Sequence, residues 1–301
     1  MIINNNIAAN NTHRQLSTVS NFASKSMERL SSGMRINRAA DDAAGLSISE
    51  NMRNQIRGLN QAERNAQDGI SLIQTAEGGL NEMHSILQRV RELTVQAGNG
   101  TNSDNERATI QNEITELVDE IDSISGRTEF NGEKLLQNID PETGLQVVDG
   151  DGAATPRSIT LQIGANQGQQ LTFEIDAMSS ETLGSKADAD AGTQELLLAD
   201  INVSDFETTP FDQQLGAIDA AIKQVSDLRS NLGATQNRLE YNINSLKTSA
   251  ENITTAESRI RDVDMAKEMM SFTKNNILSQ AAQSMLAQAN QQPQAVLQLL
   301  R

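Results

Sequence analysis

The stretch IDAAIKQVSDLRSNLGATQNRLEYNINSLKTSAENITTAESRI, residues 218–260, decides the fold class, because apolar residues return in it every seven positions. The repeated positions are Ile218, Val225, Leu232, Leu239, Leu246, Ile253 and Ile260. A second column, Ala256, Val263, Met270 and Ile277, begins three residues after Ile253. This spacing predicts one long helix that packs as in a coiled coil. No proline lies between Phe211 and Gln292 to break it, and Thr209 with Pro210 is a suitable start.

The N-terminal half carries two columns of the same kind. They are Leu59, Ala66, Ile73, Leu80 and Leu87, and, offset by three, Ala62, Gly69, Ala76, Met83, Val90 and Ala97. GNGTNSDNE at 98–106 indicates a turn, and Ser103 with Glu106 is typical of a capping box. A second stripe follows at Ile110, Ile114, Leu117, Ile121 and Ile124. We therefore expect two helices folded back as an αα-hairpin.

The middle of the chain changes period. SITLQIG at 158–164 and QLTFEID at 170–176 alternate apolar and polar residues around ANQGQ, which predicts a β-hairpin. The stretch 177–207 is expected to be irregular with short elements. The predicted fold class is mainly α: long antiparallel heptad-patterned helices, in a terminal coiled coil and a helical bundle, with a small β-hairpin region in the central insert.

The two ends have amphipathic stripes with few bulky residues. In the N-terminal one the stripe is Leu16, Val19, Ala23, Met27, Leu30 and Met34. Such helices are marginal alone. Two alternatives follow: the ends are tucked onto the body of the protein, or they stay disordered in the monomer and fold only when they pair with each other and with further copies.

Composition excludes several classes of protein. The 301 residues include no Cys, so disulfides and thiolate metal sites are excluded. Only seven side chains are aromatic. No apolar run is long enough to span a bilayer, and the N-terminus does not resemble a secretory signal peptide. Residues 100–212 hold 23 acids and 5 bases, whereas the flanks hold 17 acids and 19 bases. This anionic middle argues against nucleic acid as a partner.

Several stretches resemble bacterial flagellins. The N-terminal ones are residues 27–83, which begin MERLSSGMRINRAADDAAGLS, LQRVRELTVQ at 87–96 and RTEFNGEKLL at 127–136. The C-terminal ones are SRIRDVDMAKEMM and MLAQANQQPQAVLQLLR. The resemblance covers roughly residues 1–140 and 210–301. It implies a secreted structural subunit that is exported unfolded and polymerises into the extracellular flagellar filament for motility.

The resemblance also implies five segments and a set of partners. The segments are 1–42 and 256–301 as halves of the terminal coiled coil, 43–140 and 209–255 as bundle helices, and 141–208 as the variable outer part. The expected coiled-coil residues are Leu16, Val19, Ala23, Leu30, Val263, Met270, Ile277, Leu297 and Leu300. The implied partners are the chain itself, an export chaperone, cap and hook-associated junction proteins, and a host Toll-like receptor gripping Arg89, Leu93 and Glu113. The alternative for that last surface is packing against the next subunit.

RINRAADDAAGLSISENMR, residues 35–53, raises the question of chemistry because Asp41 and Asp42 are adjacent. Neighbours on a helix point about 100° apart, so these carboxylates cannot share a proton as a catalytic pair does. Arg38 lies three and four residues before them, at helical salt-bridge distance. We expect Arg35, Arg38, Asp41, Asp42, Arg53 and Arg57 to pack helices and subunits together; an ordinary solvated face is the alternative.

No catalytic, metal or cofactor site is expected. The two histidines, His13 and His84, lie far from these acids, and no His-Glu-x-x-His motif occurs. The near alternative to a filament subunit is a hook–filament junction protein. A coiled-coil adhesin or receptor ectodomain would need an anchor or signal peptide, and neither is visible in the sequence.

Overall fold

The computed structural model describes residues 6–137, 155–185, 196–204 and 209–299, apart from the side chains of Ser185 and of 292–299. Its helices are α1 Ile7–Ser32, α2 Ala43–Ala97, α3 Asp104–Arg127, α4 Phe211–Arg261 and α5 Met265–Leu299. Its strands are β1 Glu129–Phe130, β2 Glu133–Lys134, β3 Arg157–Gln162, β4 Gln170–Ile175, β5 Gly184–Ser185 and β6 Leu196–Leu197, with a 3-10 turn at Leu198–Asp200. The predicted fold class is confirmed.

The chain divides into two compact units. The terminal unit comprises residues 1–57 and 249–301, and the bundle unit comprises residues 58–248. The division falls inside α2 and inside α4, so each of these helices contributes to both units. No helix in the described part of the chain combines the length and the hydropathy that a membrane span requires.

In the bundle unit the heptad columns form the core. Its buried helical residues include Ala66, Ile73, Leu80, Leu87 and Val90 of α2, Ile110, Ile114 and Ile121 of α3, and Ile218, Val225, Leu232 and Leu239 of α4. Ion pairs mark the direction of α4 against α2, since Glu63 pairs with Lys247 at 3.5 Å and Arg91 with Asp219 at 2.7 Å. Because the residue number of the α4 partner falls as the residue number along α2 rises, the two helices are antiparallel.

The predicted αα-hairpin and its capping signal are present. The Glu106 carboxylate accepts from the Ser103 backbone N–H at 2.8 Å and from its hydroxyl at 3.1 Å, at the start of α3. After α3, Asn131 and Gly132 have φ of 55° and 81° between β1 and β2. Asn-Gly between two short strands is a strong hairpin signal. Residues 129–134 therefore form a hairpin within the segment 43–140, which the sequence analysis assigns to helices.

The predicted central hairpin is β3–β4. Its register runs from Arg157 opposite Ile175 to Gln162 opposite Gln170. On β4, Leu171, Phe173 and Ile175 are buried in the bundle core, and the intervening residues are exposed. The alternation therefore gives one face to the core and the other to solvent, as a half-buried strand requires.

The terminal unit contains an antiparallel pair of helices, α1 and α5, besides the first turns of α2 and the last turns of α4. The start of α1 lies beside the second half of α5, since Asn6 Nδ2 donates to the carbonyl of Ala289 at 2.8 Å. At the other end Arg29 lies 4.0 Å from Glu268. Helix α1 is capped by the Asn6 side chain, which accepts from the Ala9 N–H at 3.1 Å, and it ends at Gly33 in the left-handed region.

The long C-terminal helix is interrupted, contrary to our prediction. Helix α4 begins at Phe211, directly after Pro210, and ends at Arg261. Helix α5 begins at Met265, where Asp264 Oδ1 accepts from the backbone N–H of Ala266 and of Lys267 at 3.0 and 3.1 Å. Proline is therefore not needed for the break, because an aspartate N-cap starts a new helix.

Candidate functional site

The segment 33–42 joins α1 to α2 and lies against the break between α4 and α5. Met34 and Asp262 form an antiparallel bridge. The N–H of Arg35 donates to the carbonyl of Arg261 at 2.7 Å, and the N–H of Val263 donates to that of Gly33 at 3.0 Å. Residues 33–35 are therefore extended and pair with the residues between α4 and α5. We call residues 33–42 with 260–264 the junction.

Asp41 and Asp42 each bind backbone groups. Asp41 Oδ2 accepts from the N–H groups of Asn37 and Arg38 at 3.3 and 3.1 Å. Asp42 Oδ1 accepts from the N–H of Gly45 at 2.8 Å, in the first turn of α2. These contacts are those of a turn residue and an N-cap. The two carboxylates therefore fix local backbone and do not converge on a common proton or ligand.

The pKa of the Asp41 carboxyl is held below its ordinary value of 3.8, chiefly because the Arg38 backbone N–H donates to it. The N–H of Asn37 and the charges of Lys25 and Arg29 act in the same direction, against partial desolvation. Lys25 Nζ lies 4.0 Å from Asp41 Oδ1. Asp41 is therefore ionised at neutral pH, and its negative charge faces the last turns of α1.

The arginine side chains differ from the predicted helical pairing. Residues 35–40 are not helical, and the Arg38 guanidinium lies 3.0 Å from Glu28 of α1 instead of beside the aspartates. Arg35 Nη2 donates to the Ile260 carbonyl at 2.6 Å and lies 3.8 Å from Asp42. Arg53 lies 3.8 Å from Glu50, and Arg57 is exposed on α2. Arg35 and Arg38 thus bind groups of the same chain at or beside the junction.

Sequence reasoning missed Arg261. Its side chain is 12 % exposed; Nη1 donates to Glu50 at 2.8 Å and Nε lies 3.2 Å from the Met34 sulfur. The hydrogen bond from Arg261 is also the main reason that the pKa of Glu50 is lowered. The partners are separated by 211 residues in sequence, so no local pattern could have paired them.

The side of α1 with the lowest exposure includes most of the predicted stripe but not Met27, which is 52 % exposed. Leu16, Val19, Ala23 and Leu30 are all partly buried, and Ser26 between them is buried. The facing stripe of α5, with the lowest exposure, is Glu268, Phe272, Asn275, Ser279, Ala282, Leu286 and Ala289. Its steps of four and three residues are those of a helix seam. The seam is thin, because most of its side chains are small or polar.

The predicted α5 residues lie elsewhere. Met270 is 67 % exposed and Ile277 is 62 % exposed, so neither lies in the seam with α1. Val263 precedes α5 and takes part in the junction. The prediction was wrong because the heptad column was continued through the break at 262–264, where the helical phase restarts. Leu297 belongs to α5 with its side chain outside the described part, and Leu300 lies outside the described residues.

Large apolar side chains are exposed on α1 and on α5 of the terminal unit, and we call them together the exposed apolar face. Its members on α5 are Met265, Met269, Met270, Ile277, Leu278 and Met285, and on α1 they are Ile7, Phe22 and Met27. Part of it is an open groove of about 540 Å³ lined by Met269, Met270, Thr273, Lys274, Ile277 and Leu278. Large exposed apolar patches mark interaction sites.

The expected receptor residues are divided between surface and core. Arg89 of α2 is exposed and its guanidinium lies 2.9 Å from Glu113 of α3, which raises the pKa of the arginine. Leu93 is 2 % exposed and belongs to the bundle core. Its side chain is therefore unavailable to a partner of the folded chain, and only the Arg89–Glu113 pair remains at the surface.

The described residues contain no group of three or more His, Asp or Glu side chains that could hold a metal ion. His13 is exposed on α1, and His84 Nε2 lies 3.0 Å from Gln88 Nε2 on α2. The contacts of the junction and of the seam between α1 and α5 are helix caps, ion pairs and apolar packing, which are typical of a structural protein.

Comparisons with known proteins agree with this. Family models for the N-terminal and C-terminal helical regions of bacterial flagellin match residues 3–140 and 215–300. A flagellin of Bacillus subtilis (strain 168) is 58 % identical, and a flagellar filament 33 kDa core protein of Treponema phagedenis is 48 % identical. Each of these matches covers the full length of both chains.

A solved structure shares the fold. It is a protein of Vibrio parahaemolyticus provisionally assigned as flagellar hook-associated, with a TM-score of 0.57 and 18 % identity, covering 74 % of this chain and all of that one. The full-length relatives favour the filament over the junction protein. The chain belongs to the bacterial flagellin family, and it is a structural filament subunit, not an enzyme.

Proposed function

We propose that this subunit polymerises through its terminal unit, whose exposed apolar face is covered by further copies of the chain in an extracellular filament. The observation that supports this most is the exposure of six large apolar side chains on α5 beside a thin seam with α1. A protein that stayed monomeric would leave that area in water at a considerable cost. A homopolymer removes the cost by packing copies together.

The distribution of charge between the two units also supports polymerisation through the terminal unit. The terminal unit holds 12 basic and 9 acidic residues, whereas the bundle unit holds 12 basic and 31 acidic residues. Copies packed closely through a nearly neutral unit repel one another little, and a strongly anionic unit is suited to contact with water. We therefore assign polymerisation to the terminal unit and contact with solvent to the bundle unit.

The junction charges belong to this proposal as positioning groups. Arg35, Arg38, Asp41 and Asp42 set the backbone from which α2 and α5 leave, and Arg53 and Arg57 lie on the adjoining turns of α2. A change in this backbone would change where α5 presents its apolar face. In this way the six residues serve subunit packing even where their contacts lie within one chain.

Export and further partners complete the proposal. The chain travels unfolded through the flagellar export apparatus, held beforehand by an export chaperone, and meets cap and hook-associated junction proteins where the filament begins and grows. The absence of cysteine and the low aromatic content are compatible with this route. A host Toll-like receptor would contact the exposed Arg89–Glu113 pair, which is also free to meet the next subunit.

A truncation tests polymerisation. A variant lacking residues 1–40 and 262–301 should keep the helical circular dichroism signal of the bundle unit and form no filaments in electron micrographs, because it lacks both α1 and α5. Long filaments from this variant would refute the proposal.

A point variant tests the face itself. Ile277→Gln/Leu278→Gln removes two exposed apolar side chains and should raise the critical concentration for assembly strongly. The control is Tyr241→Gln, which removes a large side chain that is 76 % exposed on the bundle unit, compared with 62 % for Ile277 and 42 % for Leu278. Unchanged assembly of Ile277→Gln/Leu278→Gln would contradict the assignment of the face.

A further inference from the structure

Seven of the ten methionines are either strongly exposed or buried, Met34 and Met52 are partly buried, and Met1 lies outside the described residues. Met27 of α1 and Met265, Met269, Met270 and Met285 of α5 are between 49 % and 67 % exposed, and all five lie in the terminal unit. Met83 and Met178 are 0 % and 2 % exposed, and both lie in the core of the bundle unit. The four on α5 fall within one stretch of 21 residues, 265–285.

The exposed methionines lie outside the seam of the terminal unit. The α5 seam residues are Glu268, Phe272, Asn275, Ser279, Ala282, Leu286 and Ala289, and no methionine is among them. Met269 and Met270 line the open groove instead, next to Lys274. A molecule as small as hydrogen peroxide therefore has direct access to their thioethers without any opening of the fold.

Oxidation of these side chains would change the chemistry of the face. A thioether sulfur attacks one oxygen of a peroxide, the O–O bond breaks and an S–O bond forms, so that the sulfur is oxidised by two electrons and the peroxide leaves as water. The product sulfoxide is a polar acceptor where an apolar, flexible group stood before. It would have to be desolvated whenever the face is covered by another copy.

We infer that Met265, Met269, Met270 and Met285, with Met27, form a reversible oxidation site through which peroxide blocks the assembly of the free subunit. The inference rests on the proposed function, because it needs the exposed face to be the polymerising one. Oxidation acts before assembly, when the face is open. Methionine sulfoxide reductases, one for each sulfoxide epimer, reverse the reaction with a dithiol as reductant: the dithiol is oxidised to a disulfide, the sulfoxide oxygen leaves as water, and the apolar face regains its ability to assemble.

The first measurement locates the reaction. Dilute free subunit is treated with hydrogen peroxide, and sulfoxide is quantified at each methionine by peptide mass spectrometry over time. We expect the five exposed methionines to react at least about tenfold faster than Met83 and Met178, because oxidation follows exposure. Equal rates at exposed and buried positions would overturn the assignment of the site.

The second measurement concerns assembly. Seeded growth followed by light scattering should be fast for untreated subunit, at least about tenfold slower after oxidation, and restored by the two reductases together. If oxidised subunit grew as fast as untreated subunit, the inference would fail and the proposed function would stand. If untreated subunit did not grow, the proposed function would fail first.

A substitution links the two. Met27→Leu/Met265→Leu/Met269→Leu/Met270→Leu/Met285→Leu keeps apolar volume without a sulfur and should grow at the same rate before and after peroxide. The matched control, Met83→Leu/Met178→Leu, should remain as sensitive to peroxide as the parent chain. If the fivefold variant grew poorly even untreated, reductase rescue of the parent chain would decide, and failure of that rescue would overturn the inference.

Discussion

Asp41 and Asp42 are adjacent in sequence and perform separate tasks. Asp42 starts α2 by accepting from Gly45, where an added Cβ would lie 2.8 Å from Cδ1 of the fully buried Ile36. Asp41 closes the turn before it and attracts Lys25. An N-cap of this kind contributes about 0.5–2 kcal/mol to helix stability. The pair that looks most like an active site is therefore the start signal of a helix.

Neutralising Asp41 should impair assembly. Asp41→Asn keeps an acceptor oxygen for Arg38 but loses the negative charge, so we expect the critical concentration at pH 7, measured by sedimentation, to rise several-fold. The pKa of Asp41 in the folded chain lies below the ordinary value of 3.8, so the ionised carboxylate stabilises the folded chain at pH values above 3.8. This contribution is lost as the pH falls through the pKa of the folded chain. The difference between parent and variant should therefore vanish in acid.

An exposed aspartate of α4 supplies the control for Asp41. Asp227→Asn removes the same charge from the bundle unit and should leave the critical concentration unchanged at every pH. Equal behaviour of the two variants, or a difference for Asp41→Asn that persisted at low pH, would return this stretch to the status of a solvated face.

At the scale of the element, α2 contains adjacent glycines in unlike surroundings. An added Cβ at Gly78 would meet nothing within 4 Å, whereas at Gly79 it would lie 2.7 Å from Thr128 Oγ1 and 3.1 Å from Leu136 Cδ1. The Thr128 hydroxyl is held by donating to the Ile124 carbonyl at 2.7 Å, so it cannot turn away without losing that bond. Gly79 thus allows close approach of the chain after α3.

This difference gives a matched pair of substitutions. Gly78→Ala should raise the free energy of unfolding of the bundle unit by about 0.5–1 kcal/mol, since alanine is the better helix former. Gly79→Ala gains the same propensity but overpacks the contact, and should lower that free energy by about 1 kcal/mol or more. Urea unfolding followed by circular dichroism measures both. Equal stabilisation by the two changes would contradict the close approach.

The same elements show what can be predicted from sequence. The buried columns of α2, α3 and α4 follow from local period, because a helix repeats its contact face on a fixed geometry. The β1–β2 hairpin and the Asp264 cap also have local signals, Asn-Gly and an aspartate before a helix, but the heptad periods next to them are the stronger pattern. Both wrong predictions, the helix over 129–134 and the unbroken helix through 262–264, extend a helical period across a short turn or capping signal.

Long-range polar pairs could not be predicted in this way. Asp122 of α3 accepts from the Ser180 N–H and hydroxyl at 2.7 and 2.6 Å, and Gln111 Oε1 accepts from the Val203 N–H at 2.7 Å. These bonds tie the segments after β4 and β6 to α3. Their partners are 58 and 92 residues apart, and neither member carries a periodic pattern that would select the other. Such pairs can be identified only from the three-dimensional structure, in which these loops lie against α3.

At the scale of the whole molecule, stability is unequally distributed between the units. The bundle unit buries large aliphatic side chains such as Ile73, Leu80, Ile114 and Leu232 at 2 % exposure or less. In α1 the one buried residue is Ser26, and among the described side chains of α5 it is Ala289. Isolated helices with so little buried surface are marginal in water. We therefore expect the terminal unit to gain much of its stability from contacts with further copies of the chain.

Amide hydrogen exchange should reveal this dependence. In dilute free subunit, amides of residues 1–40 and 262–301 should exchange with little protection, and in filaments they should become strongly protected because further copies cover the exposed face. Amides in the core of α3 serve as the internal control and should be protected in both states. Strong protection of α1 and α5 in the dilute subunit, equal to that of α3, would show that the terminal unit is stable alone and that its folding is not coupled to assembly.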